Sequence, residues 1–404
     1  MRSESTKFLL LESIHDVARV QLSAEGFTVE VGSGSIPEAE LAARAAAVNV
    51  LGIRSKTQVT PKVLAGATQL AAIGAFCIGT NQIALDEAMR RGVAVFNAPF
   101  SNTRSVAELV LAEVVMLSRH LGDRVREMHT GHWRKVATGA HEVRGKTLGV
   151  VGYGHIGRQV GVLAEAFGMR VVFYDISTQL PMGNNQPSPT LEAVLAQSDF
   201  VTVHVPATPQ THMMIGAHEL ATMKKGACLI NASRGTVVDI DALRDTIKSN
   251  HVGGAAIDVY PEEPEANTSD GFKTALQDLP NVILTPHIGG STLEAQEAIG
   301  REVATSLTKY IRTGATTASV NMPQVELGIT PGTHRITNIH KNVPGVLRDI
   351  NRIVSDHQAN VLAQVLSTNS DIGYLIIDLD KPVTEAVCQA MTKLETTIRV
   401  RALS

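Results

Sequence analysis

The stretch Lys146-Thr-Leu-Gly-Val-Val-Gly-Tyr-Gly-His-Ile-Gly157, followed by Arg170-Val-Val-Phe-Tyr-Asp175, constrains this chain more than any other. It predicts a buried strand, a glycine turn, a helix from about Arg158 to Gly168, and a second strand ending in an acid. Gly152, Gly154 and Gly157 have separate tasks: a tight turn, room for a pyrophosphate near the backbone, and close helix–strand packing. His155 and Ile156 complete the turn, and the helix N-terminus beyond it favours phosphate charge. A lone GxGxxG is weak, because such turns also serve structure alone. Here strand, turn, helix, strand and acid occur in order, which points to a dinucleotide. Asp175 suits the ribose hydroxyls and would repel a 2′-phosphate. No Arg or Lys lies between Asp175 and Gln186, so NAD is expected rather than NADP.

A chain of 404 residues predicts two or three domains. A net charge of −3 without a dense basic run argues against a nucleic-acid partner. Cys77, Cys228 and Cys388 are far apart and form no CxxC pair, so neither a disulfide framework nor a zinc site is expected. The N-terminal apolar run is too short for a signal peptide, and no run approaches the ~18 apolar residues of a membrane span. The expectation is a cytoplasmic protein with no membrane partner.

Residues 7 to about 100 alternate apolar strands (Phe8–Leu11, Thr28–Val31, Val48–Ile53, Leu70–Ile73, Val93–Asn97) with amphipathic helices, the pattern of a parallel sheet covered by helices. Arg54-Ser55-Lys56 follows the third strand and Phe76–Asn81 the fourth, where such sheets place ligands. One long helix is expected from near Asn102 to His129, capped by Asn102 or Ser105. His129 and His132 lack an acid or cysteine to complete a metal set, so no metal is expected. After the glycine turn, strands Phe200–Val205, Ala227–Asn231, Gly254–Val259 and Val282–Leu284 lead into polar clusters that would line one crevice. A helix from about Ser291 to Arg312 makes the first domain discontinuous. Residues 314–332, rich in Thr, Pro and Gly, read as a linker. From His334 the order is βαββαβ, a small ferredoxin-like module, with Pro344 in the first turn of its first helix.

Within those clusters Arg234 offers a fork for a carboxylate, and His287 a proton relay near neutral pH. Glu263, if close, would raise the His287 pKa. Each has a structural alternative. Arg234 could pair with Asp239, His287 could be a core histidine, and Glu263 could belong to a solvated acidic loop with Glu262 and Glu265. Their common place after strands of the dinucleotide domain favours a site.

Asn231-Ala-Ser-Arg-Gly-Thr-Val-Val-Asp239, Asp258-Val-Tyr-Pro-Glu-Glu-Pro264 and Thr285-Pro-His-Ile-Gly-Gly290 resemble the signature of the D-isomer-specific 2-hydroxyacid dehydrogenases. With Gly79-Thr-Asn81, Ser101-Asn-Thr-Arg-Ser-Val-Ala-Glu108 and Ile339-His-Lys-Asn-Val-Pro-Gly345, the likeness covers essentially the whole chain. It narrows to the branch acting on 3-phosphoglycerate, in its short bacterial form with one C-terminal ACT domain. The resemblance implies an α/β architecture of two doubly wound parallel-sheet domains and the ACT domain. A flavodoxin-like substrate domain takes residues 1–101 and 292–316, and a Rossmann NAD domain 102–291. The linker is then 317–332 and the ACT domain 333–404.

It further implies oxidation of 3-phosphoglycerate to 3-phosphohydroxypyruvate by NAD, the first committed step of serine synthesis. Carried over by motif, Arg234, Glu263 and His287 are catalytic. Gly152, Gly154, His155, Ile156 and Gly157 of the glycine turn, with Asp175, Ala232, Ser233, Arg234, Asp258, His287, Ile288, Gly289 and Gly290, contact NAD. Arg54, Ser55 and Asn102 face the substrate. Lys56 stands where relatives often carry arginine, which leaves its share in phosphate binding open, and Tyr260 replaces the commoner phenylalanine. L-serine as feedback inhibitor would meet His340, Asn342 and Asn360 in a homotetramer whose ACT domains pair, and would act through domain motion. The alternative for Asn342 and Asn360 is turn support alone. Rival functions are a dehydrogenase of another D-2-hydroxy acid, including 2-hydroxyglutarate, and a non-enzymatic NAD-sensing regulator.

Overall fold

The computed structural model describes residues 6–264, 268–269 and 271–403. Backbone contacts divide the chain into two compact units, Met1–Ser101 with Gln296–Ser404, and Asn102–Ala295.

The first unit opens with strands β1 (Lys7–Leu10), β2 (Thr28–Val31), β3 (Val50–Ile53), β4 (Ala72–Ala75) and β5 (Ala94–Phe96). Between them lie helices α1 (Asp16–Ala24), α2 (Glu38–Ala45), α3 (Pro61–Gly66) and α4 (Leu85–Arg90). The sheet order β2-β1-β3-β4-β5, parallel throughout, is the flavodoxin-like arrangement. β3 and β4 are buried at every position, as strands covered on both faces must be. The fourth strand starts two residues later than its apolar run predicts, because Leu70 is buried in the preceding turn, its N–H bonded to the Ala67 carbonyl at 3.1 Å.

The second unit contains α5 (Thr103–Ser118), α6 (Leu121–His129), β6 (Thr147–Val151), α7 (His155–Ala166), β7 (Arg170–Tyr174), β8 (Gln186–Pro187), α8 (Leu191–Gln197), β9 (Phe200–Val203), α9 (Ala217–Thr222), β10 (Cys228–Asn231), α10 (Ile240–Lys248), β11 (Gly254–Ile257) and β12 (Val282–Leu284). Its parallel sheet runs β12-β11-β10-β9-β6-β7-β8, so the strand order reverses between β6 and β9. A doubly wound sheet binds its ligand beyond the strand C-termini at that reversal. The expected single helix over 102–129 is two. His120 adopts a left-handed backbone, φ 51°, and its ring lies 3.1 Å from the Gly139 carbonyl. The left-handed residue is neither Gly nor Asn, and the nearest glycine, Gly122, already lies inside α6, so the sequence marks the break only weakly.

After α11 (Leu293–Thr313) come β13 (His334–Lys341), α12 (Val346–Asp356), β14 (Val361–Thr368), β15 (Ile372–Leu379), α13 (Thr384–Thr392) and β16 (Thr397–Leu403). They form an antiparallel sheet ordered β14-β15-β13-β16. Pro344 precedes the N-cap Gly345, φ 93°, and so lies outside the helix rather than in its first turn.

This C-terminal module shares one core with the first sheet, in which Phe8, Phe96 and Tyr310 meet Ile339, Ile372 and Tyr374. Arginines reinforce the seam. Buried Arg335 pairs with Asp378 at 2.7 Å and donates to the carbonyls of Thr313 at 3.1 Å and Leu327 at 2.9 Å. Arg401 donates to the Ile311 carbonyl at 2.9 Å. Cations satisfy the unpaired carbonyls at the end of α11. The segment read as a linker is irregular but packed. Asn321 Oδ1 accepts the Val95 N–H at 2.8 Å, Val320 N–H donates to the Val95 carbonyl at 2.8 Å, and Ser319 bridges Phe96. A side chain thus covers the edge of β5, which leaves no periodic trace in the sequence.

Candidate active site

The glycine turn joins β6 to α7. Gly152 has φ 89°, and a Cβ there would come within 2.5 Å of the His204 carbonyl after β9. A Cβ on Gly157 would come within 2.2 Å of the Gly152 carbonyl. At Gly154 a Cβ would meet nothing within 4 Å, which leaves bare backbone at the head of α7 for a pyrophosphate. The helix begins at His155, earlier than the expected Arg158.

Asp175 follows β7. Its Oδ2 accepts the Tyr153 N–H at 2.8 Å and its Oδ1 the Ser177 N–H at 2.9 Å. Burial would raise its pKa, but these bonds outweigh it and hold the carboxyl below its usual value. The acid therefore also braces the turn. Sequence reading overlooked Arg158, whose Nε donates to the Tyr153 carbonyl at 3.2 Å and whose Nη2 donates to Gln179 Oε1. It brings a cation to the loop beyond Asp175 from the helix opposite.

Arg234 lies in the loop after β10. Asn231, fully buried, staples that loop: its Oδ1 accepts the Ser233 N–H at 3.1 Å and its Nδ2 donates to the Arg234 carbonyl at 3.0 Å. Arg234 is half-buried, with Nη1 on the Ser233 carbonyl at 2.7 Å. Asp239 caps α10 by accepting the Ala242 N–H at 3.0 Å. Gly235 packs on the next loop so closely that a Cβ would fall 1.9 Å from the Tyr260 carbonyl carbon. Tyr260 in turn directs its hydroxyl at the carbonyls of Ile257, 3.0 Å, and Thr285, 3.1 Å, a link that phenylalanine could not make.

The loops after β11 and β12 meet at the acid and the imidazole. Glu263 Oε2 lies 2.7 Å from His287 Nδ1, and Glu263 Oε1 accepts the Tyr260 N–H at 3.1 Å. The bond to Glu263 raises the His287 pKa against the opposing effect of burial. Burial would raise Glu263, but the bonds from His287 and Tyr260 lower it on balance, and the Arg234 charge lowers both groups. The His287 side chain is 51% exposed, so it is no core histidine. Its φ of 55° is a strained backbone for a non-glycine residue. Glu265 lies outside the described residues.

Asp258, expected among the cofactor contacts, is 1% exposed. Its carboxylate accepts Thr285 Oγ1 at 2.6 Å and the N–H groups of Ile288 and Gly289 at 2.8 Å each. It organises the His287 loop from below. Gly290 leaves space for Asn102, whose Nδ2 a Cβ there would approach to 2.4 Å. Asn102 Oδ1 is buried without a hydrogen-bond partner. Asn102 stands at the N-cap of α5 but makes no side-chain cap bond.

In the other unit, Arg54, Ser55 and Lys56 follow β3, with Ser55 and Lys56 exposed and Arg54 half-buried. Their loop rests on the carboxylate of Glu12, a residue sequence reading missed. In the C-terminal module His340 is 2% exposed, with Nδ1 at 2.9 Å from Asn338 Oδ1. Asn342 donates to the Asn369 carbonyl at 2.7 Å, and the Asn360 N–H donates to Asp380 Oδ1 at 2.8 Å. Both asparagines are exposed; the Asn342 amide braces a turn, whereas the Asn360 contact is made by its backbone.

Residues 111–289 match the family described as D-isomer specific 2-hydroxyacid dehydrogenase, NAD binding domain, and residues 336–399 match an AHAS small subunit-like ACT domain. A D-3-phosphoglycerate dehydrogenase of Dictyostelium discoideum is 54% identical over 99% of this chain and 98% of its own length. One of Escherichia coli K12 is 49% identical over 100% of this chain and 98% of its own. Among solved structures, the TT0316 protein of Thermus thermophilus superposes with a TM-score of 0.68 at 31% identity, covering 75% of this chain and 96% of its own. A D-lactate dehydrogenase of Sporolactobacillus does so with a TM-score of 0.68 at 29% identity, covering 78% and 99%.

Proposed function

We infer the reaction from kinship: the chain belongs to the D-isomer specific 2-hydroxyacid dehydrogenases, and within them to the D-3-phosphoglycerate dehydrogenases. It is an NAD-dependent enzyme that oxidises 3-phosphoglycerate to 3-phosphohydroxypyruvate, the entry to serine synthesis.

The residue roles are our proposal. NAD, when bound, supplies the hydride acceptor. The bare turn at Gly154 and the acid at Asp175 suit its pyrophosphate and ribose, and Ala232, Ser233, Ile288, Gly289 and Gly290 frame the same strand ends. With Nδ1 committed to Glu263, His287 works through Nε2, which takes the proton of the substrate hydroxyl during oxidation and returns it in reverse. Glu263 holds the ring in place and stabilises the imidazolium. The Arg234 fork takes the substrate carboxylate. Arg54, Ser55 and Lys56 serve the phosphate, and Asn102 the substrate beside Gly290.

The single observation that carries this reading is the 2.7 Å contact between His287 and Glu263. Replacing His287 with Ala should lower the rate of NADH formation from 3-phosphoglycerate by ~10²–10⁴. An unchanged rate would reject the role.

An ACT domain at residues 336–399 points to an amino-acid effector. We assign it to L-serine, with His340, Asn342 and Asn360 as its candidate contacts, in a cytoplasmic homotetramer. Titration calorimetry with L-serine tests the effector, since no heat would leave the module a structural one. No described helix is long and apolar enough to cross a membrane.

A further inference from the structure

We propose that Glu12 is the positioning residue for the substrate's phosphate: its buried carboxylate shapes the Arg54–Thr57 backbone so that the charged contacts to the anion fall to the Arg54 and Lys56 side chains, with Ser55 between them. The inference rests on the reading of that loop as the phosphate side of the site.

Glu12 follows β1 and is 8% exposed. It and Ser13 are consecutive non-glycine residues with left-handed backbones, φ 59° and 50°. Such a pair persists only where its surroundings enforce it. Here they do: the Glu12 N–H donates to the Gly34 carbonyl at 3.2 Å, the Ser13 N–H to the Gly32 carbonyl at 3.3 Å, and Ser13 Oγ to the Ser33 carbonyl at 2.8 Å. The strained turn aims the Glu12 side chain beneath the neighbouring loop. Oε1 accepts the N–H groups of Arg54 at 3.1 Å and Thr57 at 2.8 Å, and Oε2 accepts that of Lys56 at 3.0 Å.

On the carbonyl side the loop is held as well. Gln82, 3% exposed, donates from Nε2 to the Arg54 carbonyl at 2.7 Å. Convergent backbone N–H groups make a nest that ordinarily accepts an external anion. This nest already holds an internal carboxylate. A substrate phosphate at the loop therefore cannot use those three amides and takes its charged contacts from the Arg54 fork and the Lys56 ammonium, with Ser55 between them. Glu12 sets the angle at which those side chains leave the backbone.

The test is the Glu12→Gln enzyme as a full chain. If its amide oxygen keeps Arg54 and Thr57, the amide NH₂ confronts the Lys56 N–H, donor against donor. We expect KM for 3-phosphoglycerate to rise by about tenfold or more, with kcat, KM for NAD and the turnover of unphosphorylated D-glycerate little changed. Glu12→Asp keeps the charge but is one methylene shorter, and should raise the same KM less. An unchanged KM for 3-phosphoglycerate in both folded variants overturns the proposal. So does a parallel fall in kcat on D-glycerate, because it would mark a structural role only. Arg54→Met and Lys56→Ala separate this from the underlying reading. If neither raises KM for 3-phosphoglycerate, the loop is not the phosphate site. If they do and Glu12→Gln does not, only the role of Glu12 fails.

Discussion

The imidazole of His287 and the carboxylate of Glu263 meet at 2.7 Å, from loops that follow different strands, and the contact determines which ring nitrogen is left to work. A carboxylate on Nδ1 places the ring proton there and leaves Nε2 as the base.

The same bond predicts a pH profile. Glu263 raises the His287 pKa, and the base must be neutral to accept the substrate's proton. The acid limb of kcat/KM for oxidation therefore follows the raised value. Glu263→Gln removes the charge that holds the imidazolium, so the limb should move to lower pH while kcat falls. A profile that keeps its acid limb in the variant would detach Glu263 from the titration.

Asp258→Asn should act through the loop rather than on the substrate directly. The carboxylate receives Thr285 Oγ1, the Ile288 N–H and the Gly289 N–H. An amide turns an NH₂ toward one of these donors at a buried site, which costs about 1–3 kcal/mol. We expect a lower melting temperature and a fall in kcat larger than any rise in KM for NAD. A rise confined to KM for NAD would restore Asp258 to the role of a plain cofactor contact.

Gly235→Ala should separate the Arg234 loop from the Glu263 loop. The added methyl would lie 1.9 Å from the Tyr260 carbonyl carbon, part of a backbone that cannot rotate away. Overpacking of this kind costs about 1–3 kcal/mol and sometimes more. Activity should drop well beyond what the loss of stability explains at a temperature where the variant remains folded. Full activity in a folded variant would mean that the two loops act independently.

These relations show what was legible in the sequence and what was not. The central strands of both parallel sheets could be read from buried apolar runs, because a strand covered on two faces must be apolar throughout, whereas the exposed two-residue edge strand β8 gave no such signal. The glycine turn was legible because a tight turn and a close approach each admit only glycine. Arg234, Glu263 and His287 stood out as chemistry-bearing types after strand ends, yet only the fold brings the Glu263 and His287 side chains together. Glu12, Asn231 and Asn321 were not legible as organisers. Each is a single polar residue whose partners are mainly backbone groups, and for Glu12 and Asn321 these lie far away in sequence, so no period or spacing betrays them. The turn at His120 was hidden for a related reason, since its left-handed backbone uses a residue that local propensity does not mark.

Asp175→Asn should loosen cofactor discrimination. The charge opposes a 2′-phosphate, while Arg158 already reaches the following loop through Gln179. An asparagine can still accept the Tyr153 N–H, so the turn should survive. The ratio of kcat/KM for NAD to that for NADP should fall, mainly through improved KM for NADP. A ratio that stays fixed would place the discrimination elsewhere in the turn.

Glu113 links stability to alkaline pH. It lies on α5, 1% exposed, and neither carboxyl oxygen has a hydrogen-bond partner. Burial, with the nearby Asp258 charge, pushes its pKa from the ordinary 4.5 up to about 8. Between those values the folded protein keeps a proton that the unfolded chain releases. Stability from this group is thus complete below the unfolded value and is lost progressively as pH rises to about 8. Glu113→Gln mimics the protonated form and removes the titration. It should match the parent protein at pH values near 4.5 and exceed it above 8, by an amount on the order of a few kcal/mol. Denaturant unfolding at both ends of that window measures the difference, and an offset independent of pH would refute the buried proton. Because Asp258 carries the His287 loop, ionisation of Glu113 beside it places a second negative charge under the site. In the oxidation direction, where neutral His287 is already the competent form, activity should therefore fall at alkaline pH in the parent protein and be retained further into that range by Glu113→Gln.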